Sequence, residues 1–358
     1  MRAGRRSVAP MAEGSRVRRA CRTVSIALAV LGAAGGVPAP LPGGAPGPRA
    51  FVSNEFGGDI AEIDAASDRI VGRLRIGPPG VARPRGLAAS PDARTVFVAV
   101  TDSTYGQSAA GRRWQFIAAV DAATGKIRAK YPCGSDPERM AVAPDGRRLY
   151  CSNEDAAGAS ALDVSTGRVV ATIPTGIEPE GVGISPDGRW VYVTAETSNT
   201  VTVIDTRLNR TVKNILVDAR PRSAVFAPDG ARAYVAAEIG GTLTVIDAAR
   251  HEVLEVLTLG TDSKPVGVAV SPDSRRVYAA GGRCNCVFAV DARTGKITTI
   301  VQRMGRRPWG VAITPDGRKL YTANGRSDDV TVIDAVSLRV VRTIGAVGRG
   351  PHSVVIVR

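Results

Sequence analysis

Histidine is scarce in this sequence, and its scarcity excludes several kinds of site. Only His251 and His352 occur among 358 residues, so a zinc site built from three histidines is impossible. The chain also lacks the Cys-x-x-Cys-His motif that attaches haem covalently and the Gly-x-Ser-x-Gly motif of many hydrolases. The sequence therefore predicts no metal site and gives no residue a catalytic role, which disfavours an enzyme without deciding the question.

Aromatic residues are also few, at 4% of the chain, so valine, isoleucine and alanine must form the core. The net charge is +14, but residues 1–50 hold eight arginines and one glutamate and so carry half of it. Beyond residue 50 there is no block of lysine and arginine and no recognisable nucleic-acid-binding module. We therefore expect no nucleic-acid partner.

Residues 1–50 have the pattern of an export signal followed by a flexible leader. Arg16, Arg18, Arg19 and Arg22 precede an apolar run, Val24 to Val37, which is too short to span a bilayer comfortably. Small residues and prolines follow, with candidate cleavage sites near Ala39 and Ala45. The sequence predicts a periplasmic or secreted protein whose mature chain has no transmembrane span. The alternative is a disordered leader without a targeting role.

Residues 51–358 consist of a repeat of about four short apolar runs separated by turn signals. An apolar residue followed by aspartate ends the third run of each repeat, and a proline opens the first run. The aspartates are Asp64, Asp121, Asp163, Asp205, Asp247, Asp291 and Asp334, and the prolines are Pro84, Pro137, Pro179, Pro221, Pro265, Pro308 and Pro351. A period of 42–44 residues over most of the chain is typical of β-propeller blades. One four-stranded unit cannot bury its own faces and must stack on the next.

The two ends of the repeat region complement each other. The repeat region begins at Phe51 with a strand that matches the second run of a repeat. Its last strand, His352–Arg358, matches the first run. The last strand would therefore complete the blade begun by residues 51–76. The sequence predicts an all-β, seven-bladed propeller of four-stranded antiparallel blades, closed by the C-terminal strand joining the N-terminal blade.

Charged residues of both signs are predicted to surround one mouth of the central channel. In a propeller the first strand of each blade lines the channel, and the loops that enter these strands gather on one face. The residues after the prolines include Arg85, Glu138, Glu180, Arg222, Trp309 and His352, and Glu55, Glu154, Glu196 and Glu238 lie near the ends of second strands. These residues are interpreted as a ligand-binding or partner-binding collar. The alternatives are ion pairs that only join adjacent blades, or a catalytic site.

Four cysteines follow the leader. Cys133 and Cys151 should lie on the same face of the ring and are candidates for a disulfide, whereas a bridge within Cys284-Asn285-Cys286 would be strained. His251 is placed in an outer turn and is expected to be solvated.

The repeat resembles the YVTN-type β-propellers, through YVTA, YVAA and YTAN followed by TVTVID, TLTVID and DVTVID. More specifically, it resembles the propeller associated with pyrroloquinoline-quinone (PQQ)-dependent alcohol catabolism in bacteria. The stretches that carry this likeness are SNE (53–55), RPRG (83–86), DPE (136–138), SNED (152–155), EPEGV (178–182), AETSNT (195–200), RPR (220–222), EIGGTLTVID (238–247) and TANGRSDDVTVID (322–334). Arg139 is a departure, because other blades favour glycine or serine at its position.

The resemblance implies an exported accessory protein that works beside periplasmic quinoprotein dehydrogenases and c-type cytochromes, either of which is a candidate partner. A small anionic ligand at the collar is a further expectation, and the cofactor is left unknown. Other seven-bladed proteins of similar repeat are lactonases or bind a d1-type haem, which are the enzymatic and haem-binding alternatives. A third alternative is a protein that interacts with the cell envelope.

Overall fold

The structure is a computed structural model that describes residues 47–102 and 113–358. Most of the predicted export leader, residues 1–46, lies outside the described residues. In the described ranges, no helix is long and apolar enough to cross a membrane. A short 3-10 helix, Glu154–Ala156, is the one helical element among the strands of residues 47–102 and 113–358.

The described residues form 28 strands in seven four-stranded sheets. Blade 1 contains β1 (Arg49–Asn54), β2 (Asp59–Asp64), β3 (Arg69–Arg75) and β28 (Pro351–Val357). Blade 2 contains β4 (Arg83–Ala89), β5 (Thr95–Thr101), β6 (Phe116–Asp121) and β7 (Ile127–Pro132), and blade 3 contains β8 (Pro137–Val142), β9 (Arg148–Asn153), β10 (Gly158–Asp163) and β11 (Val169–Pro174). Blade 4 contains β12 (Pro179–Ile184), β13 (Trp190–Ala195), β14 (Thr200–Asp205) and β15 (Arg210–Leu216), and blade 5 contains β16 (Pro221–Phe226), β17 (Arg232–Ala237), β18 (Thr242–Asp247) and β19 (Glu252–Thr258). Blade 6 contains β20 (Pro265–Val270), β21 (Arg276–Gly281), β22 (Cys286–Asp291) and β23 (Ile297–Val301), and blade 7 contains β24 (Pro308–Ile313), β25 (Lys319–Asn324), β26 (Asp329–Asp334) and β27 (Arg339–Ile344).

The seven inner strands are β4, β8, β12, β16, β20, β24 and β28, and each contacts the next, with β28 returning to β4. The chain is a seven-bladed β-propeller. The predicted closure is confirmed, because β28 pairs antiparallel with β1, with Ala50 opposite Ile356 and Val52 opposite Val354. Strand β1 begins at Arg49, two residues before the predicted start of the propeller.

The core lies between adjacent blades rather than within one blade. Tyr150, Tyr192, Tyr234, Tyr278 and Tyr321 occupy the second strands of blades 3 to 7, and all are buried. The Tyr150 hydroxyl donates to Asn209 Oδ1 at 2.9 Å in the following blade, and Tyr321 lies near the backbone of Ala65 in blade 1. A buried phenol needs a polar partner for its hydroxyl. These contacts therefore join blade 3 to blade 4 and blade 7 to blade 1, and the tyrosine rings also fill the core.

The prediction that His251 is solvated was wrong. The residue is 8% exposed, and its Nδ1 lies 2.7 Å from the Tyr192 hydroxyl. The edge of Trp190 packs against it at a centroid distance of 4.5 Å. Burial lowers the pKa of His251. The outer turn is packed because it receives the tyrosine of the preceding blade, a contact between blades that the local sequence does not show.

The aspartates that end the third strands hold turns. Asp334 Oδ1 accepts hydrogen bonds from the backbone N–H groups of Val336 and Ser337 at 3.1 and 2.7 Å, and the equivalent bonds recur at Asp205 and Asp247. The bonds to Ser337 lower the pKa of Asp334. Aspartate is suited to this role because its short side chain reaches the backbone two residues ahead. These acids serve the fold and leave the charged residues of the mouth as the functional candidates.

Candidate functional site

Each inner strand aims one side chain at the mouth through a local irregularity. Pairing with the neighbouring strand shifts register just after the opening proline, for example between Pro179 and Val182 and between Pro221 and Ser223. Such a bulge turns the residue after the proline. The residue before the proline adopts a left-handed conformation in several blades, with φ of 56° at Glu178. This repeated geometry places Glu180 and Arg222 toward the centre of the ring.

Arg222 is the centre of the larger ion-pair cluster. Its guanidinium contacts Glu180 and Glu196, and its Nε donates to Glu238 Oε2 at 2.7 Å. The Arg222 side chain is 8% exposed, so these are buried interactions. Arg307 Nη2 also donates to Glu238, at 2.6 Å. The cluster therefore joins blades 4, 5 and 7.

The carboxylates around Arg222 carry different charges. Although burial acts to raise it, the positive charge of Arg222 holds the pKa of Glu180 well below its usual value. Burial, together with a hydrogen bond to Glu180, raises the pKa of Glu196 to about 9. Near neutral pH, Glu180 is ionised and Glu196 carries a proton. The pair shares that proton because two adjacent buried carboxylates cannot both ionise at low cost.

Arg85 is the centre of a second cluster on the other side of the mouth. Its Nη2 lies 2.7 Å from Glu138 Oε2, and its Nη1 lies 3.6 Å from Glu55 Oε1. Arg83 also contacts Glu55. Burial opposes ionisation of Glu55, but Arg85 and then His352 and Arg83 lower its pKa to about 2. Glu55 is therefore ionised throughout the range in which the protein would work.

Trp309 and His352 connect the two clusters. Their rings stack with centroids 5.4 Å apart, and the Arg307 guanidinium lies 4.1 Å from the Trp309 ring centre. His352 is 1% exposed, and within the described part of the chain neither ring nitrogen has a hydrogen-bond partner. Burial and then Arg85 lower the pKa of His352 to about 3. His352 is a neutral packing group, and its ring stacks on Trp309 inside the protein.

Within the residues that the structure describes, three carboxylates beside Arg85 form the arrangement that comes nearest to a metal site. Asp136, Glu138 and Glu154 place one oxygen each within 4.8 Å of one another. Burial raises the pKa of Glu138 and, together with Glu180, that of Glu154. The raised pKa values favour the protonated forms of Glu138 and Glu154. The structure thus brings all ten predicted collar residues to one mouth, while their binding role stays a prediction.

Two features of the site were missed from the sequence. The first is the position of Arg139, which lines a cavity of about 120 Å³ in the channel. Only the departure from glycine or serine at this position signalled it. The second is a basic pocket of about 530 Å³ between blades 6 and 7, lined by Lys264, Arg283, Arg306, Arg307 and Arg326 together with Glu238. These residues come from separate loops, so no local motif marks them.

The cysteines differ from the prediction. Cys133 and Cys151 are free thiols whose sulfur atoms lie 3.1 Å apart, so they are neighbours as predicted but no bond joins them. Cys284 and Cys286 form a disulfide. From the sequence, a bridge at this turn was expected to be strained; the bond spans Asn285, which adopts a φ of 53°. The disulfide lies beside the basic pocket, which Arg283 and Asn285 line.

One family model matches part of the chain. Residues 218–340 match the family described as Lactonase, 7-bladed beta-propeller. This segment resembles a lactonase-type propeller. It contains every residue that lines the basic pocket. No curated protein matches the chain.

Several solved structures share the fold. The hydrazine synthase of Kuenenia stuttgartiensis is 24% identical, with 75% of this chain and 88% of that chain covered and a TM-score of 0.67. A candidate 6-phosphogluconolactonase from Bacteroides fragilis is 17% identical over 87% of this chain and 98% of its own, with a TM-score of 0.69. The dihydro-heme d1 dehydrogenase NirN, in complex with DHE, is 17% identical over 86% of this chain and 74% of its own, with a TM-score of 0.61. At these identities the likeness shows the fold alone, and the narrower resemblance to the YVTN and PQQ-associated propellers stays a prediction.

Proposed function

We propose that this protein is an exported binding protein that holds an anionic ligand at the mouth of the propeller, in support of PQQ-dependent alcohol oxidation. The observation that carries the proposal is the basic pocket, in which five cationic side chains face one carboxylate, Glu238. Its volume of about 530 Å³ lies within the usual range for small-molecule sites, about 300–1,000 Å³.

The positive charge of this pocket is largely uncompensated. Glu238 is already paired with Arg222 and Arg307. Arg306 donates to the backbone oxygen of Arg326 at 3.0 Å, and across the described ranges Lys264, Arg306 and Arg326 form no ion pair with a carboxylate. A concave surface of one charge concentrates ligands of the opposite charge. Guanidinium groups are suited to carboxylates and phosphates because they donate two parallel hydrogen bonds.

The pathway assignment is supported by the stretches that resemble the PQQ-associated propeller. PQQ is itself an anion with several carboxylates, so it belongs to the class of ligand that the pocket is suited to bind. A quinoprotein dehydrogenase or a c-type cytochrome is the partner that this assignment implies, and export to the periplasm is part of the same proposal.

Binding of a multi-carboxylate anion is the test of this proposal. We expect calorimetric titration of the mature protein with PQQ or citrate to show saturable binding that weakens as salt is added. The double variant Arg306→Gln/Arg326→Gln should bind at least about tenfold more weakly, because two charge-assisted contacts are lost. Arg147→Gln, an exposed residue in the β8–β9 turn, is the matched control and should bind like the wild type. Absence of binding to the wild type, or equal binding by the double variant, would contradict the proposal.

Hydrolysis of an anionic lactone is the second candidate, favoured by the family match over the pocket residues. The available proton acceptors suit it poorly. Although burial acts to raise it, the pKa of Glu238 is lowered by the positive charges of Arg222 and Arg307. His352 is buried and its pKa is about 3, so both groups are weak proton acceptors near neutral pH. We expect no acceleration of 6-phosphogluconolactone hydrolysis above the spontaneous rate. Turnover that the double variant abolishes would replace binding by a lactonase activity.

A d1-type haem does not fit the residues present. The cavity inside the channel measures about 120 Å³, well below the volume of pockets that hold ligands of ordinary size. Both histidines are buried, at 8% and 1% exposure, and neither lines the basic pocket. Haem binding is therefore not part of the proposed function.

A further inference from the structure

The channel contains a small, partly open cavity below the charged mouth. Its volume is about 120 Å³, and all seven inner strands contribute to its lining. The lining consists of glycine, serine and apolar residues, and Arg139 is its one charged member. A charged side chain beside an otherwise neutral cavity needs a physical reason, because burying a charge without a partner is costly.

The residue at one equivalent position of each inner strand accounts for both the cavity and its charge. The second residue after each opening proline is small in six blades and is arginine in blade 3. These residues are Gly86, Gly181, Ser223, Gly267, Gly310 and Ser353, with Arg139 as the seventh. A Cβ atom on Gly86 would lie 2.8 Å from the Arg139 Cα, so strands β4 and β8 can pack this closely only with glycine at that position. The repeat therefore makes room in the channel and places a single guanidinium there.

The Arg139 guanidinium is incompletely paired. In the part of the chain that the structure describes, its Nε and Nη2 atoms are buried and have no hydrogen-bond partner. The nearest carboxylate oxygen, Glu180 Oε1, is 3.9 Å from Nε, beyond hydrogen-bond distance. Glu180 is in turn committed to Arg222. The edge of a guanidinium that carries Nε and Nη2 is the edge that binds a carboxylate with two parallel hydrogen bonds.

We propose that the channel cavity is a binding site for a small monocarboxylate, of the size of formate or acetate, held by Arg139. One positive charge without a carboxylate among the lining residues favours a monoanion. The volume limits the ligand to a few heavy atoms, since one water occupies about 30 Å³ in the liquid. Ser223 and Ser353 add hydroxyl groups to the lining. This site is separate from the basic pocket and does not depend on the proposed function.

Titration with ¹³C-labelled acetate, followed by NMR and calorimetry at constant ionic strength, tests the proposal. The wild type should bind acetate saturably, with a Kd of about 1 mM or tighter. Arg139→Gln should bind at least about tenfold more weakly, and Arg139→Lys should fall between them because it keeps the charge but loses the two-pronged geometry. Arg147→Gln, an exposed residue that lines neither the channel cavity nor the basic pocket, should bind acetate like the wild type.

Three results would overturn the proposal. The first is a wild type that shows no saturable acetate binding up to about 10 mM, a measurement that needs no variant to fold. The second is Arg139→Gln, shown folded by circular dichroism, binding acetate as tightly as the wild type. The third is a preference for chloride or phosphate over acetate, which would show that the site does not select a carboxylate.

Discussion

Replacing Arg222 with methionine is expected to lower the free energy of unfolding at pH 7 by about 3–5 kcal/mol, the usual cost of removing one partner of a buried ion pair. The Arg222 side chain is 8% exposed and contacts Glu180, Glu196 and Glu238. Methionine fills a similar volume but leaves the ionised Glu180 without its main counter-charge. The loss should appear in urea denaturation as a lower midpoint with an unchanged slope.

The defect of this variant should become smaller as the pH falls. In the wild type Arg222 lowers the pKa of Glu180 against the effect of burial. Without Arg222, burial should raise the folded-state pKa of Glu180 above its unfolded value. Such a group binds a proton on folding, so the variant regains stability as the pH falls through the raised pKa. In the wild type the effect of Glu180 on stability has the opposite sign. Its pKa is lowered in the folded state, so its contribution to the free energy of unfolding is present above the unfolded-state pKa and is lost on acidification.

Arg283→Ala is the matched control for Arg222→Met. Arg283 pairs with Asp262 at 3.6 Å, but the two side chains are 66% and 91% exposed. Solvent screens an exposed pair, so its removal should change stability by less than about 0.5 kcal/mol. Equal effects of the two substitutions, or a pH-independent defect in Arg222→Met, would show that the collar does not behave as a buried ion-pair network.

Deletion of residues 351–358 should have the largest effect on the fold. Strand β28 is the inner strand of blade 1, and Val354 and Val357 are 8% and 1% exposed. Its loss removes two buried valines and the hydrogen bonds to β1, together worth about 5 kcal/mol or more. It also exposes the hydrogen-bonding edge of β1, and exposed edges pair with other chains. We expect an aggregated or unfolded product in size-exclusion chromatography and circular dichroism.

Removal of Arg358 alone is the control for this deletion, because that residue is exposed and lies outside β28. Adding a peptide of residues 351–358 during refolding should recover monomeric protein, since a separate strand can add to the open edge of a sheet. A truncated chain that stayed monomeric and unfolded cooperatively at the wild-type temperature would show that ring closure by β28 is dispensable.

The sequence by itself determined the architecture and the composition of the mouth. The recurring proline and aspartate positions mark equivalent places in each blade. A period near 42 residues, with four strand-like runs in each repeat, is typical of a β-propeller. The complementary ends at Phe51 and His352 predicted the closure that β28 and β1 form. The collar followed because the entering loops of a propeller share one face, so position within the repeat also specifies position around the ring.

Only the tertiary structure decided what depends on contacts between blades. His251 is buried by Tyr192 of the preceding blade, and Trp309 is occupied by Arg307 and His352. The basic pocket gathers residues from loops far apart in sequence. A repeat specifies which strands pair, because pairing follows local alternation and turn chemistry. It does not specify which side chains from different blades meet at the centre, since those distances are set by the radius and closure of the whole ring.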